Sequence, residues 1–402
     1  MILYYVLVLS LPLVSHPLFG SEAGGISFEK YLGLLCLGYA LLSLGGRPRR
    51  PRLFTTPQAR WFTAFLGLVV LSYLTSQLGP QPGERAILVI YASQFAFFVT
   101  TLILVDSLER LHRVLLVAIG STALASLYVL KEWVGGSAIY GAGYRPGYVT
   151  GDPNFFAASA LLCLPLALEW SGSGRRPAER LYCLGCLVLG LAATMVAASR
   201  GGFLGLLAGM GFIAWRSRSR ARSLAVGGAL LIAFLLVSPS SPLRRILSPA
   251  HSDVEAKDAR LGLWEAGLRM VRDHPLAGVG LGNFKHAVGD YGEAEGDVWR
   301  MAHNAYLEIA AEMGLPGLAA FVGVIYLSCR SMDRLGRQVR RSGPALLHEA
   351  SAGIQAGLIG FAVALFFVSG WFLKLFWLMV FLSMAAPALR PRAQADQGCE
   401  AA

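Results

Sequence analysis

The sequence predicts an all-α polytopic membrane protein: a transmembrane helical bundle of about 12 spans with one large extracytoplasmic loop containing an amphipathic helix. Three observations predict this class. Hydrophobic residues make up 55% of the 402 and charged residues only 15%, whereas a soluble domain carries about 25% charged residues. The apolar residues fall in blocks of about 20, the length that crosses a hydrocarbon core. The basic residues cluster in short connections between the blocks, as topology signals do.

Apolar blocks recur along the whole chain, so we predict a single integral membrane domain over residues 1–402. The block boundaries predict twelve spans, at about 2–17, 27–46, 61–78, 86–105, 113–131, 154–170, 181–198, 201–215, 223–238, 304–329, 352–369 and 371–389. The longest polar interval, residues 239–303, is inserted between the ninth and tenth spans. A membrane barrel is excluded because its strands would alternate polar and apolar residues over segments of about 10.

Basic residues are distributed asymmetrically over the connections between these blocks. One set of alternate connections, with the C-terminal segment, carries 21 of them, whereas the opposite short connections carry six: Lys30, Arg85, Lys131, Arg145, Arg200 and Lys374. Because positively charged connections stay in the cytoplasm, we predict cytoplasmic termini and an outer position for the 239–303 loop. The same clustering accounts for the net charge of +11 and argues against a nucleic-acid partner.

Two short outer connections contain arginine. The segment 132–153 is rich in glycine and tyrosine and includes Arg145; such a segment either lines a sugar site or forms an interfacial aromatic belt. Arg200 lies in a Ser-Arg-Gly-Gly join without polar padding, where an arginine either faces a cavity or partner or extends its charged end to the interface. A repeat of small residues follows, which predicts close packing with a neighbouring helix: Gly201, Gly205 and Gly209.

The outer loop contains a predicted helix from Val254 to Arg272, which ends before Pro275. At about 100° per residue, four apolar side chains share one face: Leu261, Trp264, Leu268 and Val271. Arg260 and Arg272 border this face, and Arg269 points toward the opposite side. If the face rests on the bilayer, both bordering arginines can reach groups enclosed by the spans. The phasing does not choose between them, and simply flanking an interfacial helix is the alternative role.

Polar residues then accompany the start of the tenth span. The preceding GVGLG segment at 278–282 predicts a tight backbone turn, since no strand–helix unit of a dinucleotide fold surrounds it. Asn304 is a natural helix cap. Glu308 and Glu312 enter the membrane on one helix face, where carboxylates are functional or paired. His303 lies at the water interface beside these acids, so it is either a general base or a structural histidine.

Two other classes of function were compared with this pattern. A transporter without chemistry would show two matching halves with charged groups near the membrane midplane, whereas the ionisable residues here gather at the outer surface. A zinc site formed by His251, His274 and His286 lacks a compact ligand motif. Neither class fits as well as an enzyme whose site lies at the outer surface.

Three motifs, in this order, resemble the O-antigen ligase and polymerase family. They are SRGG at 199–202, RLGLWEAGLRMVRDHPLAGVGLGNF at 260–284 and HNAYLEIAAEMGLPGL at 303–318. The predicted twelve-span topology is similar as well, so the resemblance extends over most of the chain.

The resemblance implies a GT-C type glycosyltransferase of lipopolysaccharide biosynthesis in the bacterial inner membrane. Such an enzyme moves a glycan from an undecaprenyl-diphosphate carrier to a hydroxyl group of a lipid A-core-like glycolipid, on the periplasmic face and with inversion, without metal or other cofactor. By the family's motif positions, Arg200 and Arg260 hold the diphosphate, which selects Arg260 over Arg272, and His303 activates the acceptor. We predict four supporting residues: Arg145, Asn304, Glu308 and Glu312. Polymerases and protein O-oligosaccharyltransferases share the motifs and remain alternatives.

Overall fold

The computed structural model describes most of the predicted helices. The described residues are 1–13, 28–46, 53–76, 84–140, 145–146, 152–172, 175–216, 228, 232, 251–292, 301–340 and 343–390. Within these ranges the regular secondary structure is entirely helical, so the all-α prediction is confirmed. The predicted ninth span, 223–238, and the outer-loop residues 239–250 and 293–300 lie almost entirely outside the described residues.

The helices follow one another in a simple order. Those before the large loop are α1 (Ile2–Ser10), α2 (Phe28–Leu42), α3 (Pro57–Leu74), α4 (Glu84–Leu104), α5 (Leu108–Tyr140), α6 (Pro153–Ala160), α7 (Leu164–Trp170), α8 (Pro177–Val196) and α9 (Arg200–Arg216). The loop carries α10 (His251–Asp273) and α11 (Phe284–Tyr291). The chain continues with α12 (Ala305–Val339), α13 (Ala345–Ala364) and α14 (Lys374–Ala385), and short 3-10 turns at Ser43–Gly46 and Ala386–Leu389 extend α2 and α14.

Seven helical segments in the described residues are long and apolar enough to cross a membrane. They are Phe28–Gly45, Ile87–Leu104, Leu108–Gly136, Pro153–Trp170, Pro177–Val196, Ala305–Val339 and Ala345–Ala364. The prediction of about twelve spans is therefore not confirmed. Several of the remaining predicted spans are short as helices: α1 has 9 residues, α9 has 17 and α14 has 12.

Helix starts follow the capping chemistry encoded locally in the sequence. Thr56 accepts a hydrogen bond from the Ala59 N–H, and Asp152 accepts two from the first turn of α6. A proline follows each of these caps, at a position where its missing N–H costs nothing. Asn304 caps α12 by accepting from the N–H groups of Tyr306 and Leu307, which confirms the cap predicted for it.

The small-residue repeat of α9 packs so closely against α13 that the backbones of the two helices are in contact. A Cβ atom added at Gly205 would lie 2.4 Å from the Gly360 carbonyl oxygen, and one at Gly209 would lie 2.9 Å from that of Ala356. Larger side chains would separate the helices. The predicted close packing is confirmed, and it fixes the position of the α9 N-terminus, where Arg200 lies.

Ion pairs connect the helices at the end of the bundle that holds the last turn of α9. Arg216 donates to Asp333 of α12 at 2.7 Å and to Gln355 of α13 at 2.9 Å. Arg175 pairs with Glu179 at 2.8 Å and with Glu349. These partly buried contacts join four helices, so ion pairs and hydrogen bonds hold this end of the bundle together.

Helix α12 breaks after nine residues, at Gly314, whose φ of 70° is outside the helical range. The break exchanges hydrogen bonds with the loop. Leu315 N–H donates to the Pro275 carbonyl at 2.8 Å instead of to Ala311, and Pro316 has no N–H to offer Glu312. The two carbonyls left without helical donors receive others: Val279 N–H reaches Ala311 at 2.8 Å, and Gly280 N–H and Ser72 Oγ reach Glu312 at 3.2 and 2.6 Å.

Three glycines make this exchange possible. Gly278, Gly280 and Gly282 have φ values of 70°, 113° and 77°, in the left-handed region that residues with a Cβ rarely adopt. A Cβ on Gly278 would also lie 2.3 Å from the carbonyl carbon of Glu312. The predicted tight turn is confirmed, and its function in the fold is to supply donors to the broken helix.

We expect Gly278→Ala to destabilise the protein and to disrupt the site next to it. The left-handed φ alone costs about 1–3 kcal/mol in a residue with a Cβ, and the contact with the Glu312 backbone adds to that cost. The measurement is the thermal unfolding midpoint of the purified protein in detergent. Gly289→Ala is the matched control, because a Cβ there meets nothing within 4 Å. Equal midpoints for the two variants would contradict the tight turn.

Candidate active site

The loop helix α10 is attached to the segment that carries His303. Trp264 Nε1–H donates to the Ala302 carbonyl oxygen at 2.9 Å. Arg260 lies one helical turn before Trp264, and its side chain is exposed. One hydrogen bond therefore connects the helix that carries Arg260, the arginine predicted to hold the diphosphate, to the segment that carries His303, the predicted base.

The turn after α13 connects the segment of His303 with the start of α9. Ala305 N–H donates to the Leu365 carbonyl at 2.9 Å. Two residues later, the Cβ of Phe367 packs so tightly on Gly201 that a Cβ there would lie 2.5 Å away. Residues 365 and 367 are at most about 7 Å apart, so the neighbours of His303 and Arg200 flank one short turn.

Backbone strain marks the same two places. In the described part of the chain, Ala198 and His303 are the non-glycine residues with positive φ, each at 49°. Such conformations persist only when surrounding structure imposes them, and they concentrate at functional sites. One lies two residues before Arg200, and the other is the predicted base itself.

Arg145 supports the join between α8 and α9. Its Nε donates to the Ala197 carbonyl at 3.0 Å, and its Nη2 donates to Asn154 Oδ1 at 3.1 Å. This arginine thus connects the 132–153 segment and α6 to the residues just before Arg200. Its supporting role in the site stays a prediction.

Glu308 and Glu312 are both buried, at 4% exposure each, and each holds a different segment. The Glu308 carboxylate accepts from Ser369 Oγ at 2.5 Å and from Trp371 Nε1 at 3.1 Å, in the connection between α13 and α14. Glu312 Oε1 accepts from the Phe284 N–H at 3.2 Å, at the start of α11. The two carboxylates on one face of α12 therefore fix the connections on both sides of it.

A cavity of about 210 Å³ lies beside these carboxylates. It lies between α4, the glycine turn, the first turns of α12 and the connection before α14. Its lining residues are Ile87, Ile90, Tyr91, Gly282, Phe284, Lys285, Met301, Glu308, Glu312, Trp371 and Phe372. Both predicted acidic residues thus border a concave, partly open space.

The packing of α10 corrects one expectation from the sequence. The predicted apolar face includes Leu261 and Leu268, but these side chains are 46% and 61% exposed, whereas Leu263, Ala266 and Met270 are buried. The helix is apolar on more than one side, so its pattern alone could not show which side packs against α11 and α12.

This orientation changes the role of Arg269. Its Nη1 donates to the Tyr291 carbonyl at 3.0 Å, so Arg269 connects α10 to α11 and does not point into solvent. Burial, with Asp273 and Asp290 nearby, raises the pKa of Tyr291; its hydroxyl lies 2.9 Å from His274 Nε2. His274 and Arg269 both stabilise the pairing of the two loop helices.

Some residues around the site carried no recognised signal in the sequence. Tyr91, Ser369 and Trp371 lie far from the three motifs along the chain and meet them only through tertiary contacts, although the break at Gly370 between two predicted spans was visible. Lys285 directly follows the second motif, but a single lysine there indicated no site. Within the described residues, no group of three or more His, Cys, Asp or Glu side chains is arranged to hold a metal ion.

These features define a multi-pass helical membrane protein whose ionisable side chains gather at one end of the bundle. Residues 185–322 match the family model described as O-antigen ligase, which confirms the resemblance carried by the three motifs. The matched segment covers about a third of the chain and includes Arg200, α10 and His303. The comparison with curated proteins gives no match.

Proposed function

We propose that the protein transfers an O-antigen-like glycan from an undecaprenyl-diphosphate carrier to a hydroxyl group of a lipid A-core-like glycolipid. The observation that carries the proposal is the set of contacts linking the segments of Arg200, Arg260 and His303, all of which lie within the family match. Those contacts connect the segments of two arginines and one histidine, the side chains that the proposed reaction needs.

We assign the carrier diphosphate to Arg200 and Arg260. Negative charge increases on the diphosphate as its bond to the sugar breaks, and a guanidinium group stabilises that charge with paired donors and never loses its proton. Arg200 is also the first residue of α9, and a helix N-terminus favours an anion. The three groups together supply the electrostatic stabilisation that this leaving group needs.

We assign the general base to His303. A neutral imidazole ring nitrogen accepts the proton of the acceptor hydroxyl while the hydroxyl oxygen bonds to the anomeric carbon of the glycan. The bond from that carbon to the diphosphate oxygen breaks, and its electron pair leaves with undecaprenyl diphosphate. One displacement of this kind inverts the anomeric centre and needs no covalent enzyme intermediate, metal or cofactor.

Four residues hold these groups in place in this proposal. Asn304 begins α12 immediately after the base, and Arg145 braces the residues before Arg200. Glu308 and Glu312 fasten the neighbouring connections. These residues act by positioning: they hold the segments that carry the reacting side chains, and the reaction depends on that geometry.

We place the active site in the periplasm and both termini in the cytoplasm of the bacterial inner membrane. Support comes from the arginine-rich end of the bundle: α9 begins with Arg200 and ends with Arg216, and α12 begins after His303 and ends beyond Arg337. Positive residues mark cytoplasmic ends. The candidate site thus lies at the opposite ends of both helices.

The test is transfer by purified membranes of known orientation. Right-side-out and inside-out vesicles containing the carrier-linked glycan would receive a deacylated, water-soluble lipid A-core oligosaccharide from outside. We expect glycosylated acceptor with right-side-out vesicles alone, because only there does the periplasmic face meet the added acceptor. Mass spectrometry of the soluble fraction measures the product, and EDTA should leave the rate unchanged.

Other outcomes separate the alternatives. Longer carrier-linked chains without acceptor modification would show a polymerase, and a glycosylated peptide acceptor would show a protein O-oligosaccharyltransferase. Movement of carrier-linked glycan across the vesicle membrane without a new glycosidic bond would show a transporter. Product in inside-out vesicles alone would show that the active site faces the cytoplasm, which contradicts the proposed orientation.

A further inference from the structure

The cavity beside Glu308 and Glu312 has the size of a small polar ligand. Its volume of about 210 Å³ is far above the roughly 10–15 Å³ that one water molecule requires. It is below the roughly 300 Å³ at which pockets for drug-sized ligands begin. One sugar ring with its hydroxyl groups fits such a space, and an oligosaccharide does not.

A tyrosine whose hydroxyl group is unsatisfied lines the cavity. Tyr91 is 3% exposed, and its hydroxyl has no hydrogen-bond partner among the residues that the structure describes. Its ring is stacked on that of Trp371, with centroids 5.3 Å apart and planes at 27°, so the side chain is held firmly in place. A buried polar group without a partner is costly unless a ligand completes it.

The other polar groups of the wall complement Tyr91. Glu308 accepts from Ser369, Trp371 and the Ala302 backbone N–H, and Glu312 accepts from the backbone N–H groups of Gly282 and Phe284. A carboxylate offers about four lone-pair positions, so acceptor positions remain on both side chains. Lys285 adds a cation to the lining, and Phe284, Trp371 and Phe372 supply apolar surface.

We propose that this cavity binds one pyranose ring of the glycan substrate or of the acceptor. The inference rests on the proposed glycan transfer and goes beyond it by naming a specificity site outside Arg200, Arg260 and His303. Sugar hydroxyls donate to the two carboxylates and pair with the Tyr91 hydroxyl. The C–H faces of the ring contact the aromatic side chains, as in mixed polar and aromatic pockets generally.

Two other ligand classes fit the wall less well. An acyl chain would leave the Tyr91 hydroxyl and both carboxylates without new partners. A divalent cation would meet a Glu308 carboxylate that already accepts from Ser369 and Trp371, and the ammonium group of Lys285 in the same wall. A sugar ring supplies both hydroxyl donors for the carboxylates and apolar C–H surface for the aromatic side chains.

Direct binding is tested on the full chain in nanodiscs by saturation-transfer NMR. The probes are free D-glucose, D-galactose, L-rhamnose and N-acetyl-D-glucosamine, each added alone. We expect ring-proton signals from at least one of them, lost in Ile90→Trp, which fills the cavity from α4. Tyr91→Phe should weaken binding roughly 2- to 10-fold, the effect of one hydrogen bond. Its unfolding midpoint should be equal to or above that of the wild type, because removing a buried hydroxyl without a partner in the described protein breaks no hydrogen bond.

A matched tyrosine separates binding from stability. Tyr4 is as deeply buried, but its hydroxyl donates to Thr101 Oγ1 at 2.8 Å, and it does not line the cavity. Tyr4→Phe should lower the unfolding midpoint and leave sugar binding unchanged. Absence of signals from all four sugars, or equal signals from wild type and Ile90→Trp, would overturn the inference.

Kinetics then identify the source of the sugar. In Tyr91→Phe, KM should rise for the substrate whose ring occupies the cavity, while kcat stays near wild type, because uniform binding is lost. A higher KM for the carrier-linked glycan assigns a donor sugar, and a higher KM for the glycolipid assigns an acceptor sugar. The NMR measurement needs no turnover, so sugar binding with failed transfer would contradict the proposed reaction and leave the cavity assignment intact.

Discussion

His303→Ala should reduce glycan transfer by roughly 10²–10⁴-fold, the usual contribution of general acid–base catalysis. The protein should still fold, insert and bind the carrier-linked donor, because this segment is held through its backbone: the Ala302 carbonyl accepts from the Trp264 indole N–H, and the Ala305 N–H donates to the Leu365 carbonyl. The measurement is the single-turnover rate with purified protein, carrier-linked glycan and glycolipid acceptor. Transfer by the wild type should also fall in acid, since a protonated imidazole cannot accept the hydroxyl proton.

Two variants distinguish a base from a structural histidine. His303→Gln keeps a polar side chain of similar reach but cannot accept a proton usefully, so it should be as inactive as His303→Ala. Asn304→Ala loses the cap of α12 and should lower the unfolding midpoint, with about 0.5–2 kcal/mol lost. Near-normal turnover by His303→Gln would refute the assignment of the base.

Arg200→Lys and Arg260→Lys should each lower kcat by about 10²-fold, the size of effect seen when one donor to a developing anion is removed. Lysine keeps the charge but lacks the planar pair of donors that matches a diphosphate. Both side chains are exposed, Arg200 at the start of α9 and Arg260 within α10, so neither change should lower the unfolding midpoint. The measurements are kcat and the Kd for the carrier-linked glycan.

Arg272→Lys is the matched control. Arg272 borders the other edge of the α10 face, is 75% exposed and pairs with its neighbour Asp273. Activity close to wild type is expected for this variant. Equal losses for Arg260→Lys and Arg272→Lys would mean that bulk positive charge, and not a defined site, attracts the donor. Arg269→Ala, which the sequence phasing alone would have made silent, is now expected to weaken the pairing of α10 with α11.

Local chemistry explains which features could be predicted from the sequence. The length of the apolar blocks predicted the helices, Asn304 predicted the cap of α12, and the glycine spacing at 278–282 predicted a tight turn. Each of these features depends on neighbours along the chain. The face of α10 could not be predicted, since leucines occur on two of its sides and the partner helices decide which is buried. The cavity was missed for the same reason: Tyr91 and Trp371 are 280 positions apart and meet only through tertiary packing.

Interruptions within helices show another limit. Hydropathy marks apolar stretches, but it does not show where a helix is interrupted. Helices α6 and α7 are separated at 161–163, and α12 is broken at Gly314, although both regions read as single continuous spans. Breaks of this kind arise where other segments supply the missing hydrogen bonds, and those partners are distant in the sequence.

The exchange of hydrogen bonds at Gly314 restricts how this chain can tolerate insertions and deletions. Residues 275–280 supply the hydrogen-bond partners that the broken turn of α12 lacks. This helix continues into the membrane, where an unpaired backbone carbonyl costs several kcal/mol. A length change between Pro275 and Gly282 would therefore damage the helix and the loop together. We therefore expect changes of loop length to be tolerated before α10 or after α11, and the central part of the loop to depend on the first half of α12 as one structural unit.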